Sequence, residues 1–239
     1  MYRVDWGKFC AYCGRTFDKT EVQKIKEHPF PANLYGKSKD GSKVQRLTIQ
    51  ACDPCNLSFS NDDTHFRNVA AIAGTPNQAV REIWRDKILP SFDKKDGQRR
   101  FEDLLGRIVE EVTPDGKLEH RVYPGRDERV IRVVKRMIRG LFYHHQLLAP
   151  LQEERIFADV YPFQIPADIR EGMERFHREE DIIEYWKAEI GQEGIHSVWI
   201  LTFFERLTFI GIVSSDEQGF TPETLGHFHT FCHYSKACI

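Results

Sequence analysis

Several features are missing from the 239-residue sequence, and each absence narrows the class of protein. The most apolar run, at residues 198–204, is far shorter than the roughly 20 residues that a membrane-spanning helix requires. The start of the sequence contains no apolar segment of the kind found in secretory signal peptides. Low-complexity tracts and internal repeats are absent as well. We therefore expect a folded cytoplasmic protein without a membrane partner.

A strong net charge is also missing, since the formal value is only −2. The local charge is nevertheless uneven. Residues 1–60 contain ten Lys or Arg against six Asp or Glu, and residues 121–139 contain seven against two. Residues 151–193 reverse the sign, with five basic against twelve acidic side chains. A polyanion would be attracted to the first two segments and repelled by the third.

Cysteine is scarce, but four of the six cysteines form two Cys-x-x-Cys pairs, Cys10 with Cys13 and Cys52 with Cys55. Because cytoplasmic thiols stay reduced, such pairs are more often metal ligands than disulfides. Two pairs on tight turns would direct four thiolates at one ion, which predicts a tetrahedral zinc site. Such a zinc ion has no open position for a substrate, so we expect it to stabilise the fold and not to catalyse.

Three further residues extend the cysteine pattern. Glu27 and His28 follow the first pair, and Asn56 directly follows the last cysteine. In this order, the segment from residue 10 to about residue 70 resembles the HNH endonucleases of the ββα-metal, or His-Me finger, superfamily. The resemblance implies an α+β fold class with an N-terminal zinc-bound, treble-clef-like ββα-metal module. We place this nuclease module at residues 1–92 and a mainly helical α+β accessory region, for binding or regulation, at residues 93–239.

The resemblance also implies a reaction, the hydrolysis of phosphodiester bonds by an endonuclease, with DNA favoured over RNA. His28 would be the general base, and Glu27 and Asn56 would bind a catalytic Mg²⁺ or Mn²⁺ ion. The sequence departs from the family in having Glu27 where most members have Asp. It also lacks the middle asparagine of the motif, because the corresponding stretch reads QRLTIQ. Gln45, Gln50 or a backbone carbonyl would have to orient His28 instead.

Two other interpretations concern the role of the chain. The missing asparagine favours a zinc-stabilised module that has lost activity and binds only nucleic acid or protein. The chain also contains no nucleotide-binding loop and no methyltransferase motif. As the effector of a bacterial defence or restriction system, it would therefore depend on a protein partner for sensing or ATPase function.

Other polar clusters are weaker candidates. The first turn of the helix after Asn56 contains Asp62, Asp63 and His65, which could contact the catalytic ion or simply begin a solvated helix. A later helix carries arginines at spacings of three and four, which could contact DNA phosphates or form an ordinary solvated face. These are Arg129, Arg132, Arg136 and Arg139. The tail contains metal-ligand residue types without a standard finger spacing, namely His227, His229, Cys232, His233 and Cys238.

Hydrophobic periodicity and turn residues predict the remaining elements. The predicted helices lie at residues 60–74, 76–89, 101–112, 126–145 and 167–190. The predicted strands lie at residues 47–52 and 155–163, with one or two more at 197–213 and a hairpin turn at residues 115–116.

Overall fold

The computed structural model describes most of the chain. The described residues are 5–17, 23–36, 46–74, 76–106, 108–112, 116, 118–122, 127–148, 150–161, 165–179, 181–221 and 223–225. The Cys- and His-containing tail that the sequence analysis singled out lies outside them. Among the described helices, none is both long and apolar enough to span a membrane.

The N-terminal part consists of two strands followed by a helix. Strand β1 (Lys24–Glu27) pairs antiparallel with β2 (Ile49–Cys52), which confirms the strand predicted at residues 47–52. Helix α1 (Asp53–Leu57) follows β2 directly, and Pro54 lies in its first turn. Proline is favourable there because backbone N–H groups in the first turn have no partner within the helix. In this antiparallel register, Glu27 at the end of β1 lies opposite Ile49 at the start of β2, and Lys24 lies opposite Cys52, where α1 begins.

Helix α2 (Ser60–Ala73) confirms the helix predicted at residues 60–74. The next helix begins with α3 (Gln78–Ile83), capped by Asn77 and two residues later than expected, and the expectation that it stops before Pro90 is wrong. It continues through a wider π-helical turn, Trp84–Ile88, into α4 (Leu89–Phe92). Proline is tolerated here because it occupies the first turn of α4, where the missing N–H has no required partner.

The helix predicted at residues 101–112 is only half right. Helix α5 (Gly97–Leu105) ends at Gly106, and the chain then forms β3 (Ile108–Val112), paired antiparallel with β4 (Leu118–Val122). The β-branched residues that fit the helical period pair better as a strand once the glycine has ended the helix. The predicted hairpin is confirmed, and Gly116 in the turn has a φ of 78°.

Helix α6 (Glu128–His144) confirms the helix predicted at residues 126–145. Its first turn is capped by Asp127, whose side chain accepts a hydrogen bond from the Arg129 backbone N–H at 3.1 Å. The apolar face predicted from the period is fully buried, and it consists of Val130, Val133, Val134, Met137 and Leu141.

The largest difference between prediction and structure lies at residues 167–190. Only α7 (Ala167–Glu171) is helical there, and the chain then forms two strands of a five-stranded antiparallel sheet with the order β5-β9-β8-β7-β6. Strand β7 has a paired neighbour on both edges, so its aromatic residues pack within the sheet. The region after residue 93 is therefore not mainly helical. The strands are β5 (Ile156–Val160), β6 (Glu174–Glu179), β7 (Ile183–Gln192), β8 (Ile195–Phe203) and β9 (Leu207–Ser214).

A large hydrophobic core connects most of the described elements. It contains Phe30 and Phe66 from the N-terminal part, Met137 from α6, and Trp199 and Phe209 from the five-stranded sheet. The core therefore includes residues from both sides of the predicted boundary at residues 92–93. Helix α6 lies at its centre, in contact with α2, β2, β5 and β9.

Candidate metal centre and acid–histidine site

The first cysteine pair lies on a tight turn closed by an isolated bridge between Phe9 and Thr16. Within the turn, the backbone N–H of Gly14 donates to the carbonyl of Cys10 at 2.9 Å. Gly14 has a φ of 70°, which L side chains rarely adopt, and a Cβ at this position would lie 2.8 Å from the Pro150 ring. Glycine is therefore required to turn the chain so that both sulfurs face the same side.

The second pair is formed where β2 ends and α1 begins. Cys52 is the last residue of β2, and Cys55 lies in the first turn of α1. The strand-to-helix junction thus gives the second pair the same geometry that the tight turn gives the first.

The four cysteine sulfurs form one cluster, with all four ligand atoms within 4.8 Å of one another. The Sγ atoms of Cys13 and Cys52 are 3.8 Å apart. A tetrahedron with Zn–S bonds of about 2.3 Å has sulfur–sulfur edges of about 3.8 Å, so the cluster fits a zinc ion. The prediction that Cys10, Cys13, Cys52 and Cys55 are placed to hold one metal ion is confirmed.

The cluster has a small hydrophobic core of its own. Cys10 and Cys52 pack with Tyr12, Ile49 and, from helix α6, Tyr143. Burial raises the pKa of the thiols of Cys10 and Cys55, which disfavours free thiolates at neutral pH. A bound cation would supply the charge that keeps these sulfurs deprotonated.

His28 follows the last residue of β1 and is half-buried. Its ring nitrogen Nδ1 lies 2.8 Å from the backbone carbonyl oxygen of Leu47. A carbonyl only accepts hydrogen bonds, so Nδ1 carries a hydrogen, and in the tautomer that this contact selects Nε2 presents the lone pair. A backbone carbonyl was one of three groups considered for orienting His28; another, Gln45, lies outside the described residues.

Glu27, the last residue of β1, is bound to helix α6. Its Oε1 accepts a hydrogen bond from Nη1 of Arg136 at 3.1 Å, and Nη2 of the same arginine donates to Oδ1 of Asp63 at 2.6 Å. The Arg136 side chain is 1% exposed, while the Glu27 and Asp63 side chains are 14% and 16% exposed. One buried guanidinium therefore connects β1, α2 and α6.

The two carboxylates share a partly buried environment that disfavours their charge. Burial raises the pKa of Glu27, although Arg136 opposes the shift. For Asp63, burial raises the pKa to about 6, again against the effect of Arg136, and the neighbouring charge of Glu27 adds to the increase. The single guanidinium thus compensates the negative charge of the pair only in part.

Asn56 lies in α1, directly after Cys55, and is half-buried. Helix α1 is in contact with both β1 and β2. Helix α1 begins beside the Lys24 end of β1, whereas Glu27 lies at the opposite end of that strand.

The arginines of helix α6 mostly have partners within the protein. Arg129 donates to Asp103 at 2.8 Å, and Arg139 donates to the carbonyl of Leu151 at 2.8 Å and to the carbonyl of Tyr12. Arg132 pairs with Asp62 at 3.0 Å, and its side chain is 48% exposed. The predicted stripe therefore includes one largely exposed member, Arg132, and one fully buried member, Arg136.

His65 is also engaged, in a buried pair with Asp127. Asp62 and Asp63 pair with arginines of helix α6, as described above. The sequence analysis did not connect Asp63 to Glu27. The sequence shows two adjacent acids in α2 and two arginines one turn apart in α6. This pattern does not indicate which acid pairs with which arginine.

The resemblance to the HNH nucleases rests on residues 10 to about 70. In the structure, these residues supply a cysteine cluster, an acid–histidine pair and a strand–strand–helix order. In comparisons with known proteins, no family model, no curated protein and no solved structure matches this chain.

Proposed function

We propose that the chain is a metal-dependent endonuclease of the HNH type that hydrolyses phosphodiester bonds in DNA. The observation that carries the proposal is the 2.8 Å contact between Nδ1 of His28 and the carbonyl of Leu47. It fixes the ring and leaves Nε2 as the basic nitrogen, which is what a general base requires. The family asparagine that would do this is missing from the sequence, and the backbone performs the same task.

The other two predicted site residues offer ligand atoms for a divalent ion of the hard type. Glu27 offers a carboxylate and Asn56 an amide oxygen, which are the ligand atoms that Mg²⁺ and Mn²⁺ prefer. Such an ion would neutralise charge on the scissile phosphate and stabilise the leaving oxygen. The four cysteines, by contrast, offer only sulfur and would hold zinc for structural purposes.

In this mechanism, His28 accepts the proton of the attacking water at Nε2 while the Leu47 carbonyl holds the resulting imidazolium through Nδ1–H. Glu27 and Asn56 position the phosphate indirectly, by holding its counterion. The four cysteines would hold a zinc ion that takes no part in the reaction and ties the turn at Cys10 and Cys13 to the junction of β2 and α1.

One observation favours a second candidate function, an inactive module that only binds nucleic acid or protein. The Glu27 carboxylate that would hold the ion already has a cationic partner, Arg136. A plasmid assay with Mg²⁺ separates the two. Cleavage by the wild type but not by His28→Ala supports the nuclease, and binding without cleavage supports the module.

We also propose that the nuclease acts as the effector of a bacterial defence or restriction system, with a protein partner for sensing or ATPase function. The chain contains no nucleotide-binding loop and no methyltransferase motif, so any sensing or ATP-driven step would depend on that partner. Constitutive, unregulated cutting by the isolated chain would argue against this part of the proposal.

Chelation is expected to separate the roles of the two metals. An ion held through a few oxygen atoms is weakly bound, whereas four thiolates hold zinc far more tightly. Brief treatment with EDTA should therefore stop plasmid cleavage while the zinc content and the melting temperature persist, and added Mg²⁺ should restore cleavage. Undiminished cutting in EDTA would contradict the one-ion mechanism.

The same prediction extends to Asn56. The change Asn56→Ala should raise the Mg²⁺ concentration needed for half-maximal cleavage, or abolish turnover, with zinc still bound. Asn61→Ala is the matched control because Asn61 is exposed near the start of α2. If both variants respond alike to Mg²⁺, Asn56 is not a ligand of the ion.

Arg132 is the member of the α6 stripe best placed to meet a phosphate, since its side chain is 48% exposed. The change Arg132→Glu should weaken DNA binding and reduce the slope of log K against log salt by about one unit. The measurement is a salt titration of binding by fluorescence anisotropy. Arg170→Glu, an exposed arginine in α7, is the control, and equal slopes for all three proteins would exclude the contact.

A further inference from the structure

We propose that Arg136 is a positioning residue, which fixes the Glu27 carboxylate for catalysis and serves as the built-in counter-charge of the Glu27–Asp63 pair. The inference deepens the proposed nuclease function and rests on it. It gives Arg136 a role different from the DNA contact that its place in the arginine stripe suggested.

The geometry restrains Glu27 from two directions. Nη1 of Arg136 binds Oε1 of Glu27 at 3.1 Å, and the backbone N–H of His28 favours the charged form of this carboxylate and lowers its pKa against the effect of burial. Nη2 is held by Asp63 at 2.6 Å, so the guanidinium plane itself cannot rotate freely. A side chain with three rotatable bonds is thereby restricted next to the histidine that would act as the base.

The departure from the family pattern has a physical explanation in this contact. Most members have Asp before the histidine, and this chain has the longer Glu27. The extra methylene of Glu27 allows its carboxylate to reach a guanidinium on helix α6, 109 residues later in the chain. The longer side chain would be poorly ordered without that partner, because each additional rotatable bond adds conformational freedom that must be lost.

Helix α6 is built to come this close. Gly140 lies one turn after Arg136, where a Cβ would be 3.0 Å from Cβ of Pro29 and 3.2 Å from Cδ1 of Ile49. The absence of a side chain lets α6 approach the turn after His28 and strand β2. Arg136 also lies over the ring of Phe59, with its guanidinium carbon 4.8 Å from the ring centroid.

The hydrogen bonding of Arg136 is directed to the two carboxylates. Within the described chain, its buried Nε has no hydrogen-bond partner, which is uncommon for a group that serves only stability. The guanidinium carries one positive charge against two carboxylates, so the pair keeps an attraction for a further cation. The positive charge of Arg136 repels that cation. Replacing Arg136 with a neutral residue should therefore strengthen ion binding and lower the rate of cleavage.

The test compares Arg136→Met with Arg170→Met, a control that removes an exposed arginine of helix α7. Mn²⁺ binding to the zinc-loaded protein is measured by electron paramagnetic resonance, and DNA cleavage by a plasmid assay. Arg136→Met should bind Mn²⁺ on the order of tenfold more tightly, because a repelling charge is lost. It should cut on the order of a hundredfold more slowly, because Glu27 is no longer held in place. Arg170→Met should leave both Mn²⁺ binding and DNA cleavage unchanged.

Milder variants cover the case in which Arg136→Met does not fold. Arg136→Lys and Glu27→Asp each break the contact while keeping the charge, and both should slow cleavage. If they act through the same contact, the double variant should be no slower than the worse single variant, within about threefold. Zinc content and melting temperature are measured for each protein.

Each possible outcome either supports or overturns the positioning role of Arg136. Parallel losses of Mn²⁺ binding and cleavage, or effects of Arg136→Lys and Glu27→Asp that multiply, would show a merely structural arginine and overturn the inference while the nuclease function stands. Unchanged cleavage in Arg136→Met would overturn it as well. A wild-type protein that cuts no DNA would overturn the proposed function, and the inference with it.

Discussion

Cys10→Ser is expected to yield protein that does not fold stably and does not retain zinc. Cys10 is 0% exposed and packs in a small core whose buried members include only a few apolar residues. Structural zinc supplies on the order of 10–16 kcal/mol in small zinc-binding peptides, comparable to the ~5–15 kcal/mol that stabilises a whole domain. A serine hydroxyl is a poor zinc ligand, so most of this contribution is lost.

The measurements are the zinc content per chain by elemental analysis and the thermal unfolding of the purified protein. Freshly purified wild type should contain about one tightly bound zinc ion per chain. Ser215→Ala, which changes an exposed side chain after β9, is the control and should leave zinc content and unfolding unchanged. If the Cys10→Ser protein contains no zinc and still melts at the wild-type temperature, zinc does not stabilise the fold.

Local sequence signals predicted the elements that depend on local interactions. Helix α6 has an unbroken apolar period and a capping aspartate, and the β3–β4 hairpin has glycine in its turn. The prediction of a helix at residues 167–190 was wrong because it followed the charged residues at helical spacing. It gave no weight to the aromatic residues Tyr185 and Trp186, which favour a strand. Their state is decided by the neighbouring strands β6 and β8, which no local pattern contains.

The candidate site likewise contains features that local sequence predicts and features that depend on distant residues. The cysteine cluster was predictable because the spacing of the ligands itself encodes two turns. The partner of His28 could not be identified from side chains, because it is the backbone carbonyl of Leu47. Arg136 was predicted to belong to a possible DNA-binding stripe. In the structure it is buried, and its guanidinium binds Asp63 and Glu27, which lie 73 and 109 residues away in the chain. No local pattern in the sequence contains these contacts.

His28→Ala is expected to lower the rate of DNA cleavage by about 10²–10⁴ without unfolding the protein. The rate falls because no group remains to accept the proton of the attacking water, and removal of a general base typically costs this much. The fold should survive because the variant loses one hydrogen bond, to Leu47, which is worth about 1 kcal/mol. For a chain of this length, that loss lowers the melting temperature by only about 2–4 °C.

A chemical rescue makes the His28→Ala result specific. Added imidazole can enter the space left by the ring and act as a free base, so it should restore part of the cleavage in the variant and leave the wild type unaffected. Gln23→Ala, an exposed neutral change just before β1, is the control and should cut within about threefold of wild type. Zinc content should be equal in all three proteins, since the cysteine cluster does not include His28. A variant that cleaves as fast as wild type would show that another group is the base, because the loss of Nε2 at this position cannot be compensated by the Leu47 carbonyl.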